Sequence, residues 1–145
     1  YKKIINYEDI LKLTNLADDY SISEIIDNCL SKNIKKIITI LNENNFSAED
    51  CIIILRTLLF KSKRLLKLMD NIQETNDIDK SISLYKPPIF WKEKEIVKNQ
   101  INKWKKQEII NLIKEISEIE ILVKRNSTSS LNIVCDFIVN KSKAA

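Results

Sequence analysis

Not one glycine occurs in these 145 residues, and that absence limits the shapes open to the chain more than any residue it contains. Tight hairpin turns draw on glycine because their central positions need a positive φ, which a Cβ penalises. With no glycine-turned hairpin, and with apolar residues at helical spacing nearly everywhere, the expected fold is all-α, a bundle of about six to eight helices. The same absence removes the glycine-dependent phosphate loops, G-x-x-x-x-G-K-S/T and G-x-G-x-x-G, whose backbones must approach a phosphate closely. Histidine is missing as well, which excludes Ser-His-Asp and Cys-His nucleophile systems and most zinc sites. Three dispersed cysteines cannot complete an all-cysteine tetrahedral site. The expectation is therefore no enzyme, no cofactor and no metal.

With 44% hydrophobic and 30% charged residues, the composition is that of a globular domain. Apolar runs such as Ile52 to Leu55 are far too short to span a bilayer, so no membrane is expected. Cys29, Cys51 and Cys135 sit among isoleucine and leucine and read as reduced thiols of a cytoplasmic protein. The net charge of +4, from 24 basic and 20 acidic residues mixed along the chain, permits nucleic-acid contact without arguing for it. The first residue is Tyr1 rather than methionine, which suggests a piece of a longer protein.

Along the chain, Asn6 can cap a short helix from Tyr7 to about Leu16, with Ile10, Leu13 and Leu16 inward, broken at "ADDY". Ser21 and Glu24 have capping-box spacing and would open a helix from Ile22 to about Ser31, buried through Ile22, Ile25, Ile26 and Cys29. Asn33 caps the next helix, with Ile34, Ile37, Ile38 and Leu41 on one face, ended by "NENN". Ser47 with Asp50 starts a long helix to about Asn71, its core face Cys51, Ile52, Leu55, Leu58, Leu59, Leu65, Leu66 and Met69. At 100° per residue, Ile53, Phe60 and Leu68 fall on the opposite side beside Thr57 and Arg64. A helix with two apolar sides needs a second neighbour, either another helix of the same domain or another chain.

Thr75 or Asp77 can cap a short helix to about Leu84, which "YKPP" stops, because the residue before proline avoids helical geometry. Pro88 suits a first helical position, giving a sixth helix with Phe90, Val97, Ile101 and Trp104 on one side and Trp91 without an obvious core neighbour. A seventh helix, about Gln107 to Arg125, turns Ile109, Leu112, Ile113, Ile116, Ile119 and Val123 inward. Glu120 lies within that arc as a buried acid needing a cation or backbone N–H groups, and Lys124, one turn on, is the nearest candidate. After "NSTSS" a last helix carries Leu131, Val134, Cys135 and Ile138.

Four stretches in this order resemble the C-terminal part of the delta subunit family of bacterial DNA polymerase III, a clamp-loader component. "INYEDILKLTNLADDYSISEIIDNCLSKNIKKIITIL", residues 5 to 41, is similar to that family's passage from its small lid domain into its helical collar domain. "IIILRTLLFKSKRLL", residues 52 to 66, is similar to its long collar helix, with arginines where Arg56 and Arg64 stand. "KPPIFWKEKEIVKNQINKW", residues 86 to 104, resembles its proline-aromatic-lysine segment, and "EIEILVKRN", residues 118 to 126, its acid followed four places later by lysine, here Glu120 and Lys124. Asn126 replaces a frequent glycine of the family, and several packing alanines are missing.

The resemblance implies the tail of the lid domain at residues 1–20 and a helical collar domain at 21–145. It implies a role in DNA replication through assembly with the other clamp-loader subunits, so that the sliding clamp can be loaded onto DNA. The clamp-binding wedge would lie elsewhere in the parent polymerase III subunit. Aromatic and arginine residues are the usual anchors of an interface, so the candidates are Ile53, Arg56, Phe60, Arg64 and Leu68, with Pro88 and Trp91 as a second set.

A rival reading is a helical DNA-binding domain, in which a helix opened by Pro88 presents Lys92, Lys94 and Lys98 after a turn. Against it stand Glu93 and Glu95 on the same helix and the lack of an arginine there for bidentate guanine contacts.

Overall fold

The computed structural model describes residues 7–143, with the backbone but not the side chains of residues 10–18. The described chain forms seven α-helices: α1 (Tyr7–Leu30), α2 (Ile34–Glu43), α3 (Ala48–Thr75), α4 (Ile78–Leu84), α5 (Lys94–Lys103), α6 (Lys106–Arg125) and α7 (Ser130–Lys141). Short 3-10 turns at Trp91–Glu93 and Ser127–Ser129 lead into α5 and α7. Among the described residues there is no strand, and no helix is long and apolar enough to cross a membrane.

Helix α3 is the spine. Its 28 residues extend about 42 Å at the α-helical rise, and α1, α4, α5, α6 and α7 all pack against it. Leu55, Leu58, Leu65 and Leu68 of α3 are wholly buried with Ile25, Ile26 and Leu30 of α1 and Ile109 of α6. Helix α2 closes the other side of α1, contributing Ile37 and Ile40, and also touches α7.

Local chemistry sets the ends. The Asn33 side chain accepts from the Lys36 amide at 3.3 Å, and Lys32 turns the chain with φ 56°. Ser47 and Asp50 form a reciprocal capping box at 3.2 and 2.8 Å, satisfying two N-terminal amide groups. Helix α3 runs to Thr75, four residues beyond Asn71, and is capped by Asn76 at φ 53°. Asparagine tolerates this left-handed conformation better than most side chains. Asp77, not Thr75, caps α4, accepting from the Lys80 amide at 3.1 Å.

The expected break at "ADDY" does not occur. Helix α1 runs through residues 17–20 and through the expected division at 20/21, because that stretch holds neither proline nor glycine to stop it. Ser21 is therefore no cap; its hydroxyl donates to Asn44 Oδ1 at 3.2 Å and ties α1 to the end of α2. Asn6 and the side chains of Ile10, Leu13 and Leu16 lie outside the described residues.

Pro88 does not open a helix. The chain stays non-helical from Tyr85 to Phe90, and extended backbone sends neighbouring side chains to opposite sides. Ile89 is buried in consequence and Phe90, expected inside, is exposed. Ile38 and Leu131 are likewise more exposed than their spacing suggested, while Ile54 and Phe137 take core positions. Trp104 packs inward as expected, donating Nε1–H to the Leu30 carbonyl at 2.7 Å beneath the Lys32 ammonium, 4.3 Å from its ring.

Candidate interaction surface

One side of α3 remains outside the bundle. At 100° per residue, Ile53, Arg56, Phe60, Lys63 and Lys67 share that side, and all five are exposed. Ile53 keeps 46% and Phe60 57% of its surface in solvent. The other isoleucines and leucines of α3 are buried or half-buried.

Leu68 and Arg64 do not belong to this surface. They lie about 80° and 40° round the helix from Phe60, and Leu68 is 0% exposed. Arg64 is also buried and donates through a terminal nitrogen to Glu93 Oε2 at 3.2 Å. That pair clamps the turn before α5 onto α3, and the Arg64 Nε atom is left buried without a partner. The apolar stripe read from spacing thus divides: Leu68 packs within the domain, while Ile53 and Phe60 stay in water.

Arg56 meets Glu120 across the α3–α6 contact, Nε to Oε1 at 3.4 Å. Lys124 reaches the same oxygen at 3.4 Å, the pairing expected from its position one turn on. Glu120 is half-buried rather than buried, its side chain 20% exposed, and two cations share it. The Arg56 contact spans 64 positions of sequence, and no local signal could have found it. Lys67 lies 5.7 Å from the Tyr85 ring centre.

The second candidate set surrounds the turn before α5. Trp91 is the more exposed of its two adjoining aromatics, at 69%, with its ring 5.9 Å from that of Phe90. Pro88, three residues before Trp91, is also exposed. Lys92 stands 5.4 Å from the Trp91 ring centre and also borders a cleft of about 400 Å³ formed with Tyr20, Ser23, Glu24, Asp27 and Ile96. Beneath this cleft the Lys61 ammonium, nearly buried, bonds Asp27 Oδ1 at 2.7 Å and Ser23 Oγ at 3.3 Å. Gln100 of α5 donates to the Asp27 carbonyl at 3.0 Å. These bonds lock α1, α3 and α5 together, and no local pattern marks Lys61 or Gln100 as buried.

The geometry separates the three lysines of the DNA-binding alternative. Lys92 belongs to the 3-10 turn, Lys94 is half-buried at the start of α5, and Lys98 donates to Asp79 at 3.0 Å. The Asp79 hydrogen bond and charge raise Lys98 above the usual lysine range. No helix begins at Pro88 to present them together.

All three thiols are free. Burial pushes Cys29 up to about 11, outweighing the Ser142 hydrogen bond and the Lys141 and Lys32 charges, and burial also raises Cys51 and Cys135. A thiol held protonated is a poor nucleophile and a poor metal ligand.

No protein-family model, curated protein or solved structure matches this chain.

Proposed function

We propose that this chain is an assembly module, a helical bundle that docks against other protein chains through the outer side of α3. One observation carries the reading: Ile53 and Phe60 stand exposed two turns apart on the central helix, set among cations. Apolar surface rimmed by charge is the usual mark of a protein contact, and an aromatic at its centre is the usual anchor. The exposed Trp91 and Phe90 pair offers a second contact, fixed to the same helix through Glu93 and Arg64.

The family resemblance in the sequence supplies the setting. On that reading the chain is the collar part of a delta-type clamp-loader subunit, its partners are the collars of neighbouring subunits, and its place is the bacterial cytoplasm. Its contribution to replication is to hold the loader together, while the sliding clamp and DNA are engaged by other parts of the assembled complex. A specific contact of this kind covers on the order of 1,000 Å², more than one helix face supplies, so α3 and the Trp91 turn would act together.

The test is co-purification of the chain with the other subunits of its clamp loader. Ile53→Asp with Phe60→Asp is expected to keep the helical circular dichroism of the parent and to lose co-purification. A folded double variant that still joins the complex at the same stoichiometry would refute the reading.

A further inference from the structure

The charge around Ile53 and Phe60 narrows the partner. Residues 51–69 contain five cations, Arg56, Lys61, Lys63, Arg64 and Lys67, and no acid. Lys61 and Arg64 turn inward onto Asp27 and Glu93. The outer side keeps Arg56, Lys63 and Lys67, with Lys124 beside them through the carboxylate it shares with Arg56. Four cations therefore lie on the side of Ile53 and Phe60 against two carboxylates, Glu120 and the exposed Glu49 one turn before Ile53. Lys63 has no carboxylate within 4.0 Å among the described residues.

Resting on the docking reading above, we propose that this face receives an acidic amphipathic helix of a partner protein. Ile53 and Phe60 are seven residues apart, about 10 Å along the axis, and meet apolar side chains spaced i, i+7 on the incoming helix. Aspartate or glutamate residues flanking those positions answer Arg56, Lys63, Lys67 and Lys124. Glu120 does not repel them, because Arg56 and Lys124 already hold it. A phosphate backbone would use the cations but leave Ile53 and Phe60 idle at the centre of the face, which is why the charge pattern is assigned to a protein. Opposite charge around an apolar centre also fixes orientation and speeds encounter.

The probe is a synthetic helical peptide of roughly 20 residues, with leucines at i and i+7 flanked by glutamates, titrated into the isotope-labelled 145-residue chain while amide chemical shifts are followed. Shifts are expected at residues 53–67 and around Glu120 and Lys124. Affinity should fall with added salt and drop at least about tenfold in Lys63→Glu with Lys67→Glu and in Phe60→Ala. No shifts at these residues, equal shifts with the lysine-for-glutamate peptide, or tighter binding of duplex DNA or of anionic phosphatidylserine vesicles at the same residues would overturn the proposal. Failure here and failure of the docking reading can be told apart. If Lys63→Glu with Lys67→Glu still co-purifies with the clamp-loader subunits while Ile53→Asp with Phe60→Asp does not, docking stands and the acidic partner is wrong.

Discussion

Removing the two halves of the Lys61–Asp27 pair should have very unequal effects. The Lys61 side chain is 9% exposed and that of Asp27 21%, and Asp27 also lines the open cleft above it. Asp27→Ala strands an ammonium in the interior with only the Ser23 hydroxyl, 3.3 Å away, to solvate it. Leaving a buried charge unpaired costs about 3–5 kcal/mol. Lys61→Met keeps the length and apolar body of the side chain and leaves Asp27 where water can reach it, at a cost of about 1 kcal/mol or less. Both variants keep the bond from Gln100, which goes to the Asp27 main chain. In urea, with a slope of roughly 2 kcal/mol per molar for a chain this size, the Asp27→Ala midpoint should fall by roughly 2 M and the Lys61→Met midpoint by less than roughly 0.5 M. The double variant should recover most of the larger loss, since the stranded charge is gone. Equal losses, or a larger loss for Lys61→Met, would refute the claim that desolvation of the lysine dominates this site.

Leu68→Ala should lose about 2–5 kcal/mol in urea unfolding as a core cavity forms, whereas Phe60→Ala, more than half in solvent, should lose about 1 kcal/mol or less; similar losses would reverse their assignment to core and surface. Trp104→Phe removes the donor to the buried Leu30 carbonyl and should cost about 1–3 kcal/mol, read from the thermal midpoint; an unchanged midpoint would show that the bond is not needed. Cys29 is pushed from 9.0 to about 11 in the folded state, so its protonated form favours folding. That stability is fully present below about pH 9 and is lost as pH rises toward 11, at up to about 1.4 kcal/mol per pH unit. Urea midpoints across that range should fall more steeply for the parent than for Cys29→Ala, and parallel slopes would contradict the burial of the thiol.

Features set by neighbours in sequence were the legible ones. Asn33 and the Ser47–Asp50 pair cap their helices because each needs only a side chain and an amide three residues away, and the inward faces of α2 and α6 follow largely from helical period. Glu120 with Lys124 is likewise a one-turn relation. What depends on distant chain was not readable. Leu68 lies on the rear of its helix by angle alone, yet it is wholly buried within the domain. The capping-box spacing of Ser21 and Glu24 placed a helix start just after residues 17–20, but α1 continues because nothing there prevents it and Lys61 of α3 holds its second half through Asp27 and Ser23. Proline preference for a first helical turn pointed to Pro88, and the burial of Ile89 decided for extended chain instead. The candidate surface was half visible: Ile53, Phe60 and Trp91 could be named from spacing, whereas the inward turning of Arg64, which ties the two patches together through Glu93, needed the fold.

The proposed docking through α3 is tested most directly by placing a photoreactive phenylalanine analogue, p-benzoylphenylalanine, at position 60 and illuminating the chain with the purified clamp-loader subunits proposed as its partners. The account predicts a covalent adduct to one of those subunits, diminished by Lys63→Glu with Lys67→Glu and absent when the analogue is placed at exposed Leu122 on α6. An assembled complex that gives no adduct from position 60, or gives as much from position 122, would contradict it.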